Sequence, residues 1–313
     1  FIQYTMQIIM AFLMICMISI MLPRAAVSAT RVDEVLTSTT LINDPKQPKH
    51  LKEGKGMVEF NHVSFRYPGA EEDVLHDISF TAKPGETTAI IGSTGSGKST
   101  MVNLIPRFYD VTEGKITIDG EDIRNVTQHE LRDQLGYVPQ KGVLFSGTIA
   151  SNILYGNPDG SEETMMEAAK VAQAAEFIEE KPKCYDSRIS QGGGNVSGGQ
   201  KQRLSIARAI AKDPKIFIFD DSFSALDYKT DVTLRKALKE HTVNSTVIIV
   251  AQRISTILHA DQIIVLDEGK VAGIGTHKEL LKNCDVYYQI AASQLSEKEL
   301  ERDLNQDEQE GGR

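Results

Sequence analysis

The first feature of the chain is a long apolar stretch without charge. Residues 1–22 carry no charged side chain, and this stretch reaches the roughly 20 residues that a helix needs to cross a bilayer. Pro23 ends the run, and Arg24 and Arg31 then favour a cytoplasmic location for the next part of the chain, because basic residues collect on that side of a membrane. We predict residues 1–42 as a transmembrane helix with a cytoplasmic extension.

This first stretch leaves two alternatives open. Residues 26–29, Ala-Val-Ser-Ala, have the small side chains of a signal-peptide cleavage site, although no basic residue precedes the apolar run as it does in secretory signals. Methionines also recur at steps of three or four residues, which places them on one helix face. Such a stripe is typical of packing against helices or lipid, and the alternative is an adaptable wall of a substrate cavity. The methionines are Met6, Met10, Met14, Met17 and Met21.

Polar and alternating segments come after the apolar stretch. Residues 43–56 carry two prolines among polar side chains, which is typical of a linker. Two short segments, 58–60 and 63–67, then alternate apolar and polar residues as half-buried strands do, and residues 78–82 add a third. We predict a small antiparallel β region here, as the first part of a domain that spans residues 57–294.

Continuous apolar runs further along the chain predict buried strands of a mainly parallel sheet. They are residues 88–91, 135–140, 216–221 and 246–250, with a hairpin at 262–274 and a short strand at 114–120. Between them, helix formers with amphipathic spacing predict an inserted helical subdomain at about residues 142–205. The charged tail, residues 295–313, is expected to be a frayed helix or disordered. The predicted fold class is therefore α/β.

Composition narrows the class of protein further. With 313 residues, of which 41% are hydrophobic, the chain is long enough for one large or two ordinary globular domains. A net charge of −9 argues against a broad nucleic-acid surface. Cys16, Cys184 and Cys284 lie far apart in sequence, without the paired spacing of a metal site or a disulfide framework, and indicate a reducing compartment.

A glycine-rich loop follows the apolar run at residues 88–91. Residues 92–99, Gly-Ser-Thr-Gly-Ser-Gly-Lys-Ser, match the phosphate-binding pattern in which Gly and Gly-Lys-Ser are separated by four residues. Glycines let backbone N–H groups surround phosphate oxygens at the start of a helix. Lys98 would then reach the β- and γ-phosphates, and Ser99 would bind Mg²⁺. A plain Gly/Ser-rich turn is the alternative, and later segments that supply other parts of the same site argue against it.

A second glycine-rich segment precedes a predicted helix at residues 201–211. Residues 191–200 lead directly into that helix, so Ser197 and the two glycines after it form a second candidate anion site at a helix start. A flexible linker is the alternative interpretation of the same glycines.

Two carboxylates end the apolar run that begins at residue 216. Ligands of parallel sheets bind at the carboxyl ends of the strands, which is where Asp220 and Asp221 lie. Asp220 is therefore expected to hold Mg²⁺, through water or through Ser99, and Asp221 is expected near the attacking water.

In order and spacing, these motifs resemble the nucleotide-binding domain of ABC transporters over residues 57–294. The most specific part is the signature at residues 196–200, Val-Ser-Gly-Gly-Gln. With the helix and linker before it, the chain resembles the C-terminal part of an ABC exporter half-transporter, from its last transmembrane helix onward. The resemblance implies ATP and Mg²⁺ as ligands, a multi-pass protein of the cell membrane with this domain on the cytoplasmic side, and a small-molecule transport substrate.

The resemblance also assigns roles to the matching residues. Tyr67 would stack on adenine, Gln140 would link the Mg²⁺ site to the helical subdomain, and Asp227 would communicate between sites. The signature would contact the γ-phosphate of ATP held by a second domain, so that two domains enclose two ATP molecules head to tail. The implied nucleotide-binding set is Tyr67, Gly92, Ser93, Thr94, Gly95, Ser96, Gly97, Lys98, Ser99, Thr100, Ser197, Gly198, Gly199, Gln200 and Asp227; the metal set is Ser99, Gln140 and Asp220; the catalytic set is Asp221, Gln252 and Gln140.

Two positions depart from the members of this family that hydrolyse ATP well. Asp221 and Gln252 stand where those proteins carry Glu and His. Aspartate is shorter by one methylene, about 1.5 Å, whereas a general base has to lie within about 3 Å of its water. Glutamine cannot gain the charge that histidine gains on protonation. We therefore predict a degenerate site that binds ATP and turns it over slowly.

The signature, by contrast, is intact. The chain thus resembles the degenerate-site subunit of heterodimeric bacterial multidrug exporters, which completes the active site of a different half-transporter. A homodimeric exporter that hydrolyses ATP slowly at two identical sites is the runner-up. A soluble ABC-type ATPase acting on DNA or ribosomes is a third class. The uncharged stretch of residues 1–22 and the negative net charge argue against it. No nucleic-acid partner is expected.

Overall fold

The computed structural model describes residues 1–296, 298–300 and 302 of the chain. By its internal contacts the chain divides into two compact units, Phe1–Asn43 and Asp44–Arg313. The first unit is built on a single helix, and the second is an α/β domain. Most of the tail that was expected to be frayed or disordered lies outside the described residues.

Helix α1 (Ile2–Leu36) is long and apolar enough to cross a membrane. Pro23 ends the uncharged run but lies within the helix. The helix stops at Leu36, before the predicted limit at residue 42. The Asp33 carbonyl in its last turn accepts both the backbone N–H of Thr37 at 2.8 Å and the Thr37 hydroxyl at 2.6 Å, and hydroxyl groups that bond the backbone in this way compete with continuation of a helix.

The second unit contains strands in three sheets and helices of four to fourteen residues among its described residues. The strands are β1 (Val58–Phe65), β2 (Leu75–Ala82), β3 (Thr87–Gly92), β4 (Glu113–Ile118), β5 (Glu121–Asp122), β6 (Leu135–Val138), β7 (Gly147–Thr148), β8 (Arg188–Ile189), β9 (Ile216–Asp220), β10 (Thr246–Val250), β11 (Gln262–Asp267) and β12 (Lys270–Gly275). The α-helices are α2 (Lys98–Leu104), α3 (Gln128–Asp133), α4 (Ile149–Ile153), α5 (Glu162–Val171), α6 (Ala175–Glu179), α7 (Gly198–Ala211), α8 (Tyr228–His241), α9 (Ile254–Ile257), α10 (His277–Asn283) and α11 (Asp285–Ala292). Short 3-10 turns lie at Ile123–Asn125, Leu154–Gly156, Cys184–Asp186 and Gln191–Gly193.

A six-stranded sheet in the order β12-β11-β3-β10-β9-β6 forms the centre of this unit. Its strands are parallel except for β12, which closes a hairpin with β11. Alternate residues of each strand face opposite sides, so Phe217 and Phe219 join one hydrophobic core while Ile216 and Ile218 join the other. The predicted α/β class with a mainly parallel sheet is confirmed.

Two strand predictions differ from the structure in detail. The segments at 58–60 and 63–67 form one strand, β1, with an irregularity at His62, whose φ is +49°. This strand pairs with β2 and β4 in an antiparallel four-stranded sheet, β2-β1-β4-β5. Strand β6 stops at Val138 rather than at residue 140, since Pro139 has no N–H for the next ladder bond.

The stretch predicted as an inserted helical subdomain contains α4 to α6 and the first part of α7. Helix α7 begins at Gly198, three residues before the predicted start at residue 201. Ser197 and Gln200 explain this start, because each side chain bonds the other residue's backbone N–H in a capping box. The cap outweighs the low helix propensity of the two glycines.

The segment predicted as a linker is hydrogen-bonded to the second unit. The Asp44 carboxylate accepts the backbone N–H of Gln128 at 2.9 Å, at the start of α3. Glu130 accepts the N–H of Leu51 at 2.7 Å, and further along Asp119 accepts the N–H of Met57 at 3.0 Å. From Asp44 onward this stretch is therefore part of the domain surface.

Candidate active site

The glycine-rich loop joins the end of β3 to the start of α2, next to the middle of the six-stranded sheet. Gly95 and Gly97 have φ values of +83° and +96°, which favour glycine because it lacks a Cβ atom. At Gly92 a Cβ atom would lie 2.1 Å from the Leu266 carbonyl oxygen of β11. The loop therefore depends on glycine for its curvature and for its close approach to the neighbouring strand.

Lys98 extends back across this loop from the first position of α2. Its ammonium donates to the carbonyl oxygens of Gly92 at 2.9 Å and Ser93 at 2.6 Å. Burial lowers the pKa of Lys98, and the nearby charges of Asp221 and Asp220 act in the opposite direction. The geometry leaves a cation beside an open glycine loop, since a Cβ at Gly95 would meet no atom within 4 Å. This arrangement fits an anionic phosphate.

Ser99 and Asp220 form the oxygen pair expected for a metal site. The Ser99 hydroxyl donates to Asp220 Oδ1 at 2.9 Å. Burial raises the pKa of Asp220, and the hydrogen bond from Ser99 opposes that rise. Within the described residues no group of three His, Cys, Asp or Glu side chains could chelate a metal. The pair therefore fits Mg²⁺, which usually takes one or two protein oxygens and completes its shell with water and phosphate.

The substitution Asp220→Asn is expected to stabilise the domain without ligand. A carboxyl group whose pKa is raised by folding loses stability as the pH rises through that pKa, so at pH 7 the charge of Asp220 destabilises the fold. Asparagine still accepts from Ser99 but carries no charge. We expect the melting temperature at pH 7 to rise by about 2–4 °C, which corresponds to roughly 1 kcal/mol in a domain of this size.

The same variant provides its own pH control. The difference in melting temperature from the wild-type chain should shrink as the pH falls, because protonation of Asp220 removes the buried charge. The stabilisation that Mg²⁺ and ATP give to the wild-type chain should be lost. A lower melting temperature at pH 7 would show that burial does not penalise this carboxylate.

Asp221 is buried at the centre of a small hydrogen-bonded network. Its Oδ2 atom accepts the side-chain amides of Gln140 at 3.0 Å and Gln252 at 2.7 Å. Its φ of +47° lies in the left-handed region, and its backbone carbonyl accepts the Ser224 hydroxyl at 2.9 Å. The backbone thus turns away from β9 immediately after Asp220. The three residues predicted to be catalytic are in direct contact.

Tyr67 lies beside the helix that follows the loop. Its hydroxyl is 2.9 Å from the Thr100 hydroxyl. Its ring meets Phe65 and Tyr109 edge-on, with centroid distances of 4.8 Å and 5.1 Å. Tyr67 is therefore half-buried in an aromatic cluster next to α2.

The signature and Asp227 lie at the starts of two other helices. Ser197 caps α7, and Asp227 caps α8 by accepting the Thr230 N–H at 3.0 Å. That backbone bond, with the Thr230 hydroxyl, holds the pKa of Asp227 below its usual value. A Cβ at Gly199 would lie 3.3 Å from the carbonyl oxygen of Ala225, so the signature is next to the segment that ends in Asp227.

The phosphate loop opens into a cleft of about 510 Å³. Its lining includes eight of the predicted residues of the loop and α2, together with Gln140 and Gln252. The predicted residues outside this lining are Tyr67, Ser96, Asp220, Asp221, Asp227 and the signature. A separate cavity of about 460 Å³, bordered by α8, α9 and β10, contains none of the predicted site residues. Within one chain, the signature therefore does not complete the loop cleft.

Four residues of the cleft were missed by sequence reasoning. They are Val74, Ile290, Ser293 and Gln294. Three of them come from the end of α11 and the turn after it. The pattern of α11 indicates only a helix with a buried face, and nothing in its sequence points to a cleft that is formed by residues about 200 positions earlier.

Comparison with known families fits this geometry. Residues 75–224, which run from β2 through the loop, the helical subdomain and β9, match the ABC transporter family. This part of the chain is an ABC transporter ATPase domain.

Full-length relatives extend the match beyond this region. An uncharacterized ABC transporter ATP-binding protein of Mycobacterium tuberculosis is 49% identical over 298 residues, which cover 94% of this chain and 51% of the relative. Another from Bacillus subtilis is 43% identical with the same coverage. A solved structure of a bacterial Atm1-family ABC exporter with ATP bound aligns with a TM-score of 0.82 at 38% identity, over 88% of this chain and 48% of that one. The chain thus spans about half the length of the relatives that it matches.

Proposed function

We propose that this chain is the C-terminal part of an ATP-driven ABC exporter subunit, and that its own ATP site is degenerate. The main support for this proposal is the position of Asp221. This aspartate stands where a catalytic glutamate is expected, and its Oδ2 atom accepts hydrogen bonds from two neutral amides, Gln140 and Gln252. The chain would bind ATP, turn it over slowly, and donate its signature to the catalytic site of a partner half-transporter.

ATP binding is supported by the loop and its cation. The backbone N–H groups of residues 92–99 and the ammonium of Lys98 would hold the phosphates. Ser99 and Asp220, with Gln140 close to them, would hold Mg²⁺, which neutralises phosphate charge when it is bound with ATP. Tyr67 would meet the adenine ring from its aromatic cluster.

Slow turnover is supported by the short reach of Asp221. The carboxylate would have to accept a proton from water, yet one of its oxygens already accepts two hydrogen bonds and its side chain is shorter than glutamate. Gln252 can donate to a γ-phosphate but stays neutral. Loss of a positioned general base typically lowers turnover by about 100- to 10,000-fold.

The position of the signature supports its proposed role in the ATP site of a partner chain. Ser197, Gly198, Gly199 and Gln200 begin α7, outside the cleft of their own chain. The start of a helix of fourteen residues offers N–H groups and a favourable dipole to an anion. Asp227, next to this helix start, would transmit the occupancy of one site to the other.

An export function is supported by the relatives and by α1. The name of a Bacillus subtilis relative, 44% identical over 260 residues, describes a multidrug export ATP-binding/permease protein. A protein with such a role would sit in the cell membrane with several transmembrane helices, keep its ATPase domain in the cytoplasm, and carry apolar small molecules. Methionines along α1 would suit such substrates.

The test is to compare ATP hydrolysis by the complete subunit alone and with its partner. We expect slow, non-cooperative hydrolysis alone and a large increase with a half-transporter that carries Glu and His at the matching positions. In that complex, Asp221→Asn should leave the rate within about twofold, whereas replacing the partner's glutamate by glutamine should abolish it. A complex silenced by Asp221→Asn, or fast cooperative hydrolysis without a partner, would instead favour a homodimer with two working sites.

A further inference from the structure

The end of α11 reaches the ATP cleft from the C-terminal side of the domain. Tyr287 and Ala291 are completely buried in the core, so the helix is fixed against the sheet. Beyond its last turn, Ser293 and Gln294 line the cleft together with the phosphate loop residues. A segment that lies about 40 residues after Gln252 therefore contributes to the same cleft.

The Gln294 side chain bonds the backbone on both sides of Arg253. Its Nε2 donates to the carbonyl oxygen of Gln252 at 2.9 Å, and its Oε1 accepts the N–H of Ile254, also at 2.9 Å. One amide thus spans the turn that carries Gln252. On the other side of this turn, the Ala251 N–H donates to the Ile90 carbonyl of β3 at 3.0 Å.

Helix α9 explains why this contact is needed. It begins at Ile254, and the residue before it, Arg253, makes no side-chain cap hydrogen bond. The first N–H groups of a helix have no partner within the helix, and a short polar residue at the cap position usually supplies one. Here the acceptor comes from Gln294 instead, so the start of α9 is capped by a distant residue.

We infer that Gln294 is a positioning residue for the switch segment, residues 251–254. It fixes the Gln252 backbone, so that the Gln252 amide stays 2.7 Å from Asp221 Oδ2 and inside the cleft. This inference deepens the proposed function, because it rests on Gln252 meeting the γ-phosphate of ATP. The consequence is that ATP, but not ADP, is held partly through Gln294.

The test is a pair of binding titrations on the full chain in detergent, with ATP and with ADP, both without Mg²⁺ to prevent turnover. Gln294→Met should weaken ATP binding about fivefold, as loss of one or two neutral hydrogen bonds would, and leave ADP binding unchanged. Gln289→Met is the matched control, because Gln289 is exposed on the same helix, and it should change neither.

Gln252→Ala distinguishes a failure of the inference from a failure of the proposed function. If Gln252→Ala weakens ATP binding and Gln294→Met does not, the inference fails while the proposed role of Gln252 stands. If neither variant weakens ATP binding, both fail. Equal losses of ATP and ADP affinity with a lower melting temperature would show that Gln294 is only structural. The inference expects the double variant to bind ATP no more weakly than Gln252→Ala alone.

Discussion

Asp221→Glu is expected to raise ATP hydrolysis at this chain's own site by about 100-fold, the lower end of the range for a positioned general base. The added methylene moves the carboxylate about 1.5 Å further from the backbone, which brings it toward the loop and away from the point where Gln140 and Gln252 now hold Oδ2. Because Gln252 remains neutral, the full effect should require Gln252→His as well.

This prediction is measured by phosphate release from the complex whose partner lacks its own catalytic glutamate, so that only the site of this chain contributes. Asp221→Asn serves as the control, since it has the same length as aspartate and cannot accept a proton, and it should not raise the rate. If Asp221→Glu leaves the rate unchanged and Gln252→His raises it, the neutral Gln252 limits the rate of hydrolysis. The length of the Asp221 side chain then does not limit it.

Lys98→Ala is expected to lower the affinity for ATP by about 100-fold. The ammonium contacts neutral oxygen atoms in its loop, and charge-assisted bonds to phosphate are about twice as strong as neutral ones. Removing the cation also leaves Asp220 and Asp221 as uncompensated negative charges next to the phosphates, which adds repulsion. Both effects act in the same direction.

Equilibrium binding of a fluorescent ATP analogue to the full chain measures this loss. Lys183→Ala is a suitable control, because Lys183 is an exposed lysine that lines no part of the cleft, and it should bind as the wild-type chain does. Lys98→Ala with unchanged affinity would exclude the glycine loop as the phosphate site.

Local patterns predicted the phosphate site well because most of its residues are contiguous in sequence. A strand, a glycine loop and a helix follow one another, so the positions of Lys98 and Ser99 depend on neighbours within a few residues. Asp220 and Asp221 could be added because parallel strands end at one edge of a sheet. The hydrogen bonds of Asp221 with Gln140 and Gln252 could not be derived from local patterns, since these side chains are 81 and 31 positions away in sequence.

Two features of the fold that the sequence did not indicate depend on hydrogen bonds to remote residues. The polar stretch from Asp44 to Gly56 has the composition of a linker, but it exchanges hydrogen bonds with residues elsewhere in the chain, and composition cannot reveal those partners. Helix α9 has no side-chain cap from Arg253, and its first N–H donates to Gln294 instead. In each case a hydrogen bond to a remote residue replaces the local partner on which a pattern depends.

The capping box at the signature has a consequence for how two such chains would recognise each other. The Ser197 hydroxyl oxygen and the Gln200 amide oxygen accept each other's backbone N–H, so these two bonds use neither the Ser197 O–H nor the Gln200 NH₂ as a donor. A multiply charged phosphate of a neighbouring chain would accept from these donors, and it would attract them more strongly than a neutral acceptor does. The signature would therefore bind weakly to a nucleotide-free neighbour and more strongly to an ATP-bound one. Association of the two chains would then depend on ATP.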